Sequence, residues 1–416
     1  MNNALIDELT WRGLLKQVTN ESKLKKAMSE KAGVYIGFDP TADSLHVGHL
    51  IPIINLRRIT LFDLQPIAVM GGATGKIGDP SFKKDERKLL SDEIVEHNIQ
   101  AIKKQLSFML PNIKIINNSD WLSSMLMIDF LRDVGKEFNL TYLLAKESIA
   151  SRISSGLSIT EFFYTMLQAY DFYMLYENYK CWGQMGGSDQ WGNITSGIDY
   201  ISSQIGHENS NAFGLTMNLL TKKDGMKFGK TEAGTVWLDK NKTSYYDFYQ
   251  FWFNQEDDDI EKLLKFFTFM NKEEIDAIIT AHKKEPFKRI AQKELAKRVT
   301  LFVHGDNGLN EAVKITDAIF SGDILALDKD FISKIISTLI IGESKKNVNV
   351  VDLLVNSTIA SSKRQSREWI QAKAISLNGI IVSEDYVISD KDIIVNDLIL
   401  IKRGKRKIMS VKLTNN

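Results

Sequence analysis

The sequence predicts an α/β protein with a parallel-sheet body, followed by a helical domain and a small α+β unit. Three observations carry this. Short apolar runs alternate with helix-length segments through the first half, the alternation stops near Ser244, and a basic stretch with a hairpin signature closes the chain.

The strand candidates are Val34–Phe38, Pro66–Met70, Ile113–Ile116 and Cys181–Met185, with helical stretches such as Ser91–Met109 and Glu161–Tyr179 between them. Sheets of this kind bind ligands beyond the carboxyl ends of their strands. Those ends read Gly37-Phe38-Asp39-Pro40, Gly71–Gly75, Asn117-Asn118 and Gly186–Asp189, so Gly, Asn and Asp gather where a nucleotide crevice would lie. After Ser244, Tyr245–Asn254, Asp259–Met270, Lys272–His282 and Phe287–His304 have helical periodicity. The polar run Gly342–Asn347 reads as a linker. Beyond it, Ser361 or Ser362 caps a basic helix from Lys363 to Gln371, and Asn378-Gly379 between Ile375–Leu377 and Ile380–Val382 spells a β-hairpin. The expected domains are 1–240, 241–342 and 348–416.

Of the 416 residues, 44% are hydrophobic and 25% charged, a globular composition. No apolar run reaches the roughly 18–20 residues of a membrane helix, and Met1–Lys16 lacks a signal-peptide pattern. The one cysteine, Cys181, forms no internal disulfide. A cytoplasmic location is the expectation. The net charge of +1 says little, but from Glu343 to Asn416 there are 13 Lys and Arg against 8 Asp and Glu. Such a tail suits a polyanion, or solubility alone.

Two motifs carry chemistry. His46-Val47-Gly48-His49 follows a strand and a loop. With six histidines in the chain and no second ligand pair near this one, zinc is disfavoured. At a helix start the imidazoles can instead donate to phosphate, and Gly48 lets a flat purine approach the backbone. Lys227-Phe228-Gly229-Lys230-Thr231 places two ammonium groups around a glycine, which suits a triphosphate. Gly71–Gly78 is no Walker A loop, because Met70 stands where its first Gly belongs and Ile77 follows Lys76. On a helix Tyr164, Gln168 and Asp171 share an arc of roughly 60°. Gln and Asp on a buried face are costly without partners, so a polar ligand explains them better than a core stripe does.

HVGH and KFGKT, in this order and at this distance, resemble the two signatures of class I aminoacyl-tRNA synthetases. Val34–Leu50, Gly71–Pro80, Glu161–Asp171 and Gly186–Asn193 are similar to segments of bacterial-type tyrosyl-tRNA synthetases. The resemblance covers nearly the whole chain. Val47, Thr231, Phe82, Trp182 and Met185 are its few departures, and none removes a proposed ligand.

The resemblance implies a Rossmann-like catalytic domain, a helical anticodon-region domain and an S4-like RNA-binding domain. It implies activation of L-tyrosine with ATP to tyrosyl-adenylate and pyrophosphate, then transfer to tRNA, by a homodimer. Magnesium would accompany ATP, with no protein-bound metal. Tyr35 and Asp171 would bind the substrate phenol, with Asn118 supporting that end. Tyr164, Gln168 and Asp79 would hold the ammonium group, and Gln190 would lie near the carboxylate. Gly37, Asp39, His46, Gly48, His49, Gly187, Asp189, Lys227 and Lys230 would contact ATP. Thr41, His46, His49, Lys83, Arg87, Lys227 and Lys230 would stabilise the reacting phosphates. Lys363, Arg364 and Arg367, with Lys402, Arg403, Lys405, Arg406 and Lys407, would meet the RNA backbone. A tryptophan-specific relative shares the fold, but Asp171 with Tyr35 and the S4-like tail argue against it.

Overall fold

The computed structural model describes residues 4–79, 90–146, 149–150, 153, 156–220, 228, 230–231, 234–321, 332–333, 336, 339–404 and 407–414. Lys83, Arg87, Lys227, Lys405, Arg406 and Phe82 lie outside the described residues. The chain forms two compact units, Met1–Gly305 and Asp306–Asn416.

The first unit is built on β1 (Leu15–Val18), β2 (Gly33–Phe38), β3 (Gln65–Met70), β4 (Lys114–Asn117), β5 (Cys181–Gly187) and β6 (Phe213–Met217). They form one sheet in the order β1-β6-β5-β2-β3-β4. Every pair is parallel except β1 with β6. The four strands read from sequence are present to within two residues; β1 and β6 were not expected. β6 is buried along its whole length, and β1 is a short edge strand of mixed polarity. From β2 the chain proceeds to β3 and β4 on one side, and from β5 to β6 on the other. The order therefore reverses between β2 and β5, which opens a crevice beyond their carboxyl ends.

Helices fix the sheet from its faces. Ile159–Tyr179 sends Phe172 and Leu175 into a core with Tyr35, Ile67, Val69 and Ile116. Leu50–Ile59 buries Ile53, Ile54 and Leu56. Asp92–Met109 starts at Ser91, whose hydroxyl accepts from the Ile94 N–H. Tyr245–Phe253, Asp257–Phe267 and Lys272–Lys284 follow. A final stretch, Ile290–Ser321, breaks at Gly305, where φ is 67° and ψ −174°. That backbone is accessible only to glycine, and it coincides with the boundary between the units.

The second unit holds β9 (Ile340–Lys345), β10 (Ile375–Leu377), β11 (Ile380–Ile381), β12 (Leu398–Arg403) and β13 (Lys407–Thr414), ordered β11-β10-β12-β13-β9. The hairpin is present: Asn378 and Gly379 both have positive φ, 48° and 84°, as the tight turn requires. Ser362 caps the helix Lys363–Gln371. The linker reading of Gly342–Asn347 is overturned, because Gly342–Lys345 belong to β9, which pairs in parallel with β13. Ser344 is buried, and Gly342 lies so near Ser357 that a Cβ would come within 2.6 Å of its carbonyl oxygen.

Candidate active site

The HVGH segment is a single 3-10 turn, Val47–His49, leading into Leu50–Ile59. The Gly48 N–H donates to His46 Nδ1 at 3.1 Å, and the His46 N–H to His49 Nδ1 at 3.2 Å. Each ring is thereby fixed as the tautomer with its proton on Nε2. The rings lie 4.0 Å apart between centroids. Burial, and then the nearby His46, push the His49 pKa down to about 3. Gly48 has a reason absent from the sequence reading: a Cβ there would sit 2.8 Å from the His46 ring.

The two signatures meet in space. The Val47 N–H donates to the Val236 carbonyl at 3.0 Å, and the Leu238 N–H to the Leu45 carbonyl at 2.8 Å. Val236 follows directly on a hairpin of β7 (Lys230–Thr231) and β8 (Gly234–Thr235). Asp43 and Lys242 add an ion pair at 2.7 Å. Phe228 packs its ring against Phe251, Trp252 and Phe267.

Glycines bring backbone to the crevice. Gly37 is the one exposed residue of β2, and nothing lies within 4 Å of where its Cβ would be. At the end of β3, a Cβ on Gly71 would stand 2.5 Å from Asp39 Oδ1 and 2.7 Å from Thr74 Oγ1. One on Gly72 would strike the Asn117 amide. Gly187 precedes the turn Ser188–Gln190 that carries Asp189. The Thr41 N–H donates to the Asp39 carbonyl at 2.9 Å.

Deeper lies a polar knot. Asp171, on Ile159–Tyr179, is buried. Asn118 Nδ2 donates to its Oδ2 at 2.9 Å, and Trp121 Nε1 to its Oδ1 at 2.7 Å. Asn118 also donates to Thr74 Oγ1 at 2.9 Å and accepts from the Ala73 N–H at 2.9 Å, which fixes its amide. Burial raises the Asp171 pKa to about 7 against the pull of those two donors. The Tyr35 hydroxyl is buried, with no hydrogen-bond partner among the described residues. Burial, then the Asp171 charge, hold its pKa well above the ordinary value.

A second chain of bonds runs through the amides. Gln190 Nε2 donates to Asp79 Oδ2 at 2.8 Å, and Gln190 Oε1 accepts from Gln168 at 3.4 Å and from Asn193 at 3.2 Å. The Tyr164 hydroxyl lies 3.4 Å from Asp39 Oδ1. The structure thus brings Asp79, Gln168 and Gln190 together, joins Asn118 to Asp171, and links Tyr164 to Asp39. Sequence reasoning missed Trp121, Thr74 and Asn193. Among the described residues no cluster of His, Cys, Asp and Glu could hold a metal ion.

In the second unit Lys363 pairs with Asp352 at 2.6 Å, and Arg367 with Glu384 at 3.7 Å. The Arg403 guanidinium stacks 4.3 Å over the Trp369 ring. This contact sets the end of β12, with Lys402, beside the helix of Lys363, Arg364 and Arg367.

A family model described as tRNA synthetases class I (W and Y) matches residues 26–321. A Tyrosine--tRNA ligase SYY-like C-terminal domain matches 332–411. The chain is 57% identical to a Tyrosine--tRNA ligase of Mesoplasma florum across 97% of this chain and 98% of that one. It is 49% identical to Tyrosine--tRNA ligase 1 of Bacillus subtilis across 98% and 99%. Among solved structures, a C-terminally truncated mitochondrial tyrosyl-tRNA synthetase of Coccidioides posadasii superposes with a TM-score of 0.66 at 31% identity. That match covers 74% of this chain and 90% of the other. Sheet topology, converging signatures and near-full-length identity agree: the chain belongs to the class I tRNA synthetases, among the tyrosine–tRNA ligases.

Proposed function

We propose that the chain activates tyrosine with ATP and transfers it to tRNA, using the crevice between β2 and β5. The observation that carries the substrate assignment is the deep pair of Asp171 and Tyr35. Asn118 and Trp121 occupy one position on each Asp171 oxygen, and each oxygen keeps a second lone pair to accept from a phenol. The Tyr35 hydroxyl, buried and unpartnered among the described residues, gains a hydrogen bond when that phenol arrives. Phenylalanine would leave the Tyr35 hydroxyl without a partner and the second lone pairs of Asp171 unfilled, which is costly in a dry pocket.

Tyr164, Gln168 and Asp79 hold the substrate ammonium, and Gln190 orients the carboxylate. That carboxylate is ionised at neutral pH, so its attack on the α-phosphate needs no general base. Catalysis rests on positioning and on stabilising charge as pyrophosphate leaves. The Nε2–H groups of His46 and His49 donate to phosphate, and Thr41, Lys83, Arg87, Lys227 and Lys230 join them. Gly37, Asp39, Gly48, Gly187 and Asp189 seat the nucleotide. Magnesium accompanies the triphosphate and is held mainly by it.

The functional division is catalytic 1–240, then helical, then RNA-binding, the last including β9 (Ile340–Lys345) because that strand belongs to its sheet. Lys363, Arg364, Arg367, Lys402, Arg403, Lys405, Arg406 and Lys407 meet the tRNA backbone, so charging weakens as salt rises. The protein works in the cytoplasm as a homodimer. Leu126, Met127, Ile128, Leu140 and Ile159 support the dimer, as large apolar side chains that stand exposed on one protomer.

ATP–pyrophosphate exchange tests the reading. Exchange should depend on tyrosine, and Asp171→Ala should raise the tyrosine KM by about tenfold or more, the loss of a hydrogen bond to a charged group. Exchange that follows tryptophan instead, or an Asp171→Ala variant with unchanged tyrosine KM and unchanged rejection of phenylalanine, would overturn it.

A further inference from the structure

The helix Asp92–Met109 carries two amides that the proposed reaction does not use. Asn98 and Gln105 stand seven residues apart, so they lie on one helix face. Asn98 is 4% exposed, on the side that also buries Val95, Ile99 and Ile102. A buried amide is unfavourable there unless it finds partners, and asparagine is a poorer helix former than leucine. Its partner is remote in sequence: Nδ2 donates to the Pro40 carbonyl at 2.9 Å. Gln105 reaches the same segment farther on. Its Oε1 accepts from the Leu45 N–H at 2.9 Å, and its Nε2 donates to the Ser44 hydroxyl at 2.9 Å.

Residues 39–45 run from the end of β2 to the HVGH turn without helix or strand. No ladder pairs this backbone, so side chains must supply bonds to it. Asn98 grips the segment near its start and Gln105 at its end. Between them Asp43 is held by Lys242 at 2.7 Å. Pro40 is backed by Gly75, where a Cβ would come within 2.8 Å of the proline ring. Pro40, Ser44 and Leu45 are buried, and Thr41 alone in the segment is exposed. His46 follows directly on Leu45.

We propose that Asn98 and Gln105 are positioning residues for adenylate formation. Through Pro40, and through Ser44 and Leu45, they fix the backbone course from which the Thr41 hydroxyl and the His46 ring meet the phosphates. A helix is a stiffer reference than a loop, and a reacting group displaced by about 1 Å can lose about a hundredfold in rate. Tyrosine is read elsewhere, by Asp171 and Tyr35, so the effect falls on the chemical step rather than on tyrosine binding. The inference rests on the Thr41 and His46 roles proposed above and adds the side chains that hold those groups in place.

The test is tyrosine-dependent ATP–pyrophosphate exchange by the full chain. Asn98→Ala and Gln105→Leu should each lower kcat about ten- to hundredfold while the tyrosine KM stays within about twofold of the parent, the split that marks lost transition-state stabilisation. Residues that act through one another are not additive. Added to Thr41→Ala, Asn98→Ala should therefore slow exchange by less than about threefold more, and Gln105→Leu should do the same when added to His46→Ala. An unchanged kcat in either single variant overturns the inference. So does an Asn98→Ala loss of equal size with and without Thr41→Ala, the mark of general loosening, or a tyrosine KM that rises in step with the fall in kcat. Should Asn98→Ala fail to fold, Gln105→Leu and its pairing with His46→Ala decide by the same criteria. A Thr41→Ala variant that exchanges like the parent would overturn the phosphate role of Thr41 and the inference with it, and shows before any helix variant is made.

Discussion

Asp171 is the residue whose surroundings have the most measurable effect. Its pKa of about 7 means that part of the population is protonated near neutrality. Tyrosine binding that needs the carboxylate as acceptor should tighten as pH rises through about 7. Trp121→Phe removes one donor to the charged form, so the midpoint of tyrosine KM against pH should move upward. Asp171→Asn should abolish the dependence, and a Trp121→Phe profile that overlays the parent would count against this account. Stability without substrate runs the other way. A carboxyl raised from 3.8 to about 7 favours the folded state at low pH, and that contribution is lost as pH rises through about 7. His49 and His304, lowered by burial to about 3 and about 4, oppose this: unfolded imidazoles take up protons near 6.5, so acidity below that value favours unfolding. Asp171 was legible in the sequence because helical periodicity puts a carboxylate on an apolar face. Trp121 was not, since its bond spans 50 positions and joins a short helix to a long one.

At the level of elements, the strands that carry the crevice were readable because apolar runs end in Gly, Asn and Asp. β6 escaped, although wholly buried, because Gly214 and Thr216 interrupt its apolar run. β9 was misread for the opposite reason. From Glu343 on its residues are polar, and only parallel pairing with β13, more than 60 residues away, makes a strand of them. Gly342→Val tests that seat. Its side chain would meet the Ser357 backbone, so the second unit should lose about 1–3 kcal/mol, the cost typical of overpacking. Thermal unfolding of the full chain should show a lowered transition, with exchange activity kept because the crevice lies in the other unit. An unaltered transition would mean that β9 contributes little.

Across the whole molecule, HVGH and KFGKT were recognisable as motifs, but not the way Leu45–Val47 pairs with Val236–Leu238 to bring them together. The proposed homodimer belongs to this scale as well. Ile128→Asp with Met127→Asp puts charge on the exposed apolar segment and should shift sedimentation from dimer to monomer while leaving the fold intact by circular dichroism. A parent that already sediments as a monomer would remove the dimer.

The walls of the crevice also bear on how such a protein can change over time. Space beside Gly71 and Gly72 is taken up by the side-chain ends of Asp39, Thr74 and Asn117, so a larger residue enters there only if one of these moves and gives up its present contacts. Gly37 is closed to change for a different reason: no atom of the described residues stands within 4 Å of where its Cβ would be, so a side chain there would disturb no packing but would fill the crevice itself.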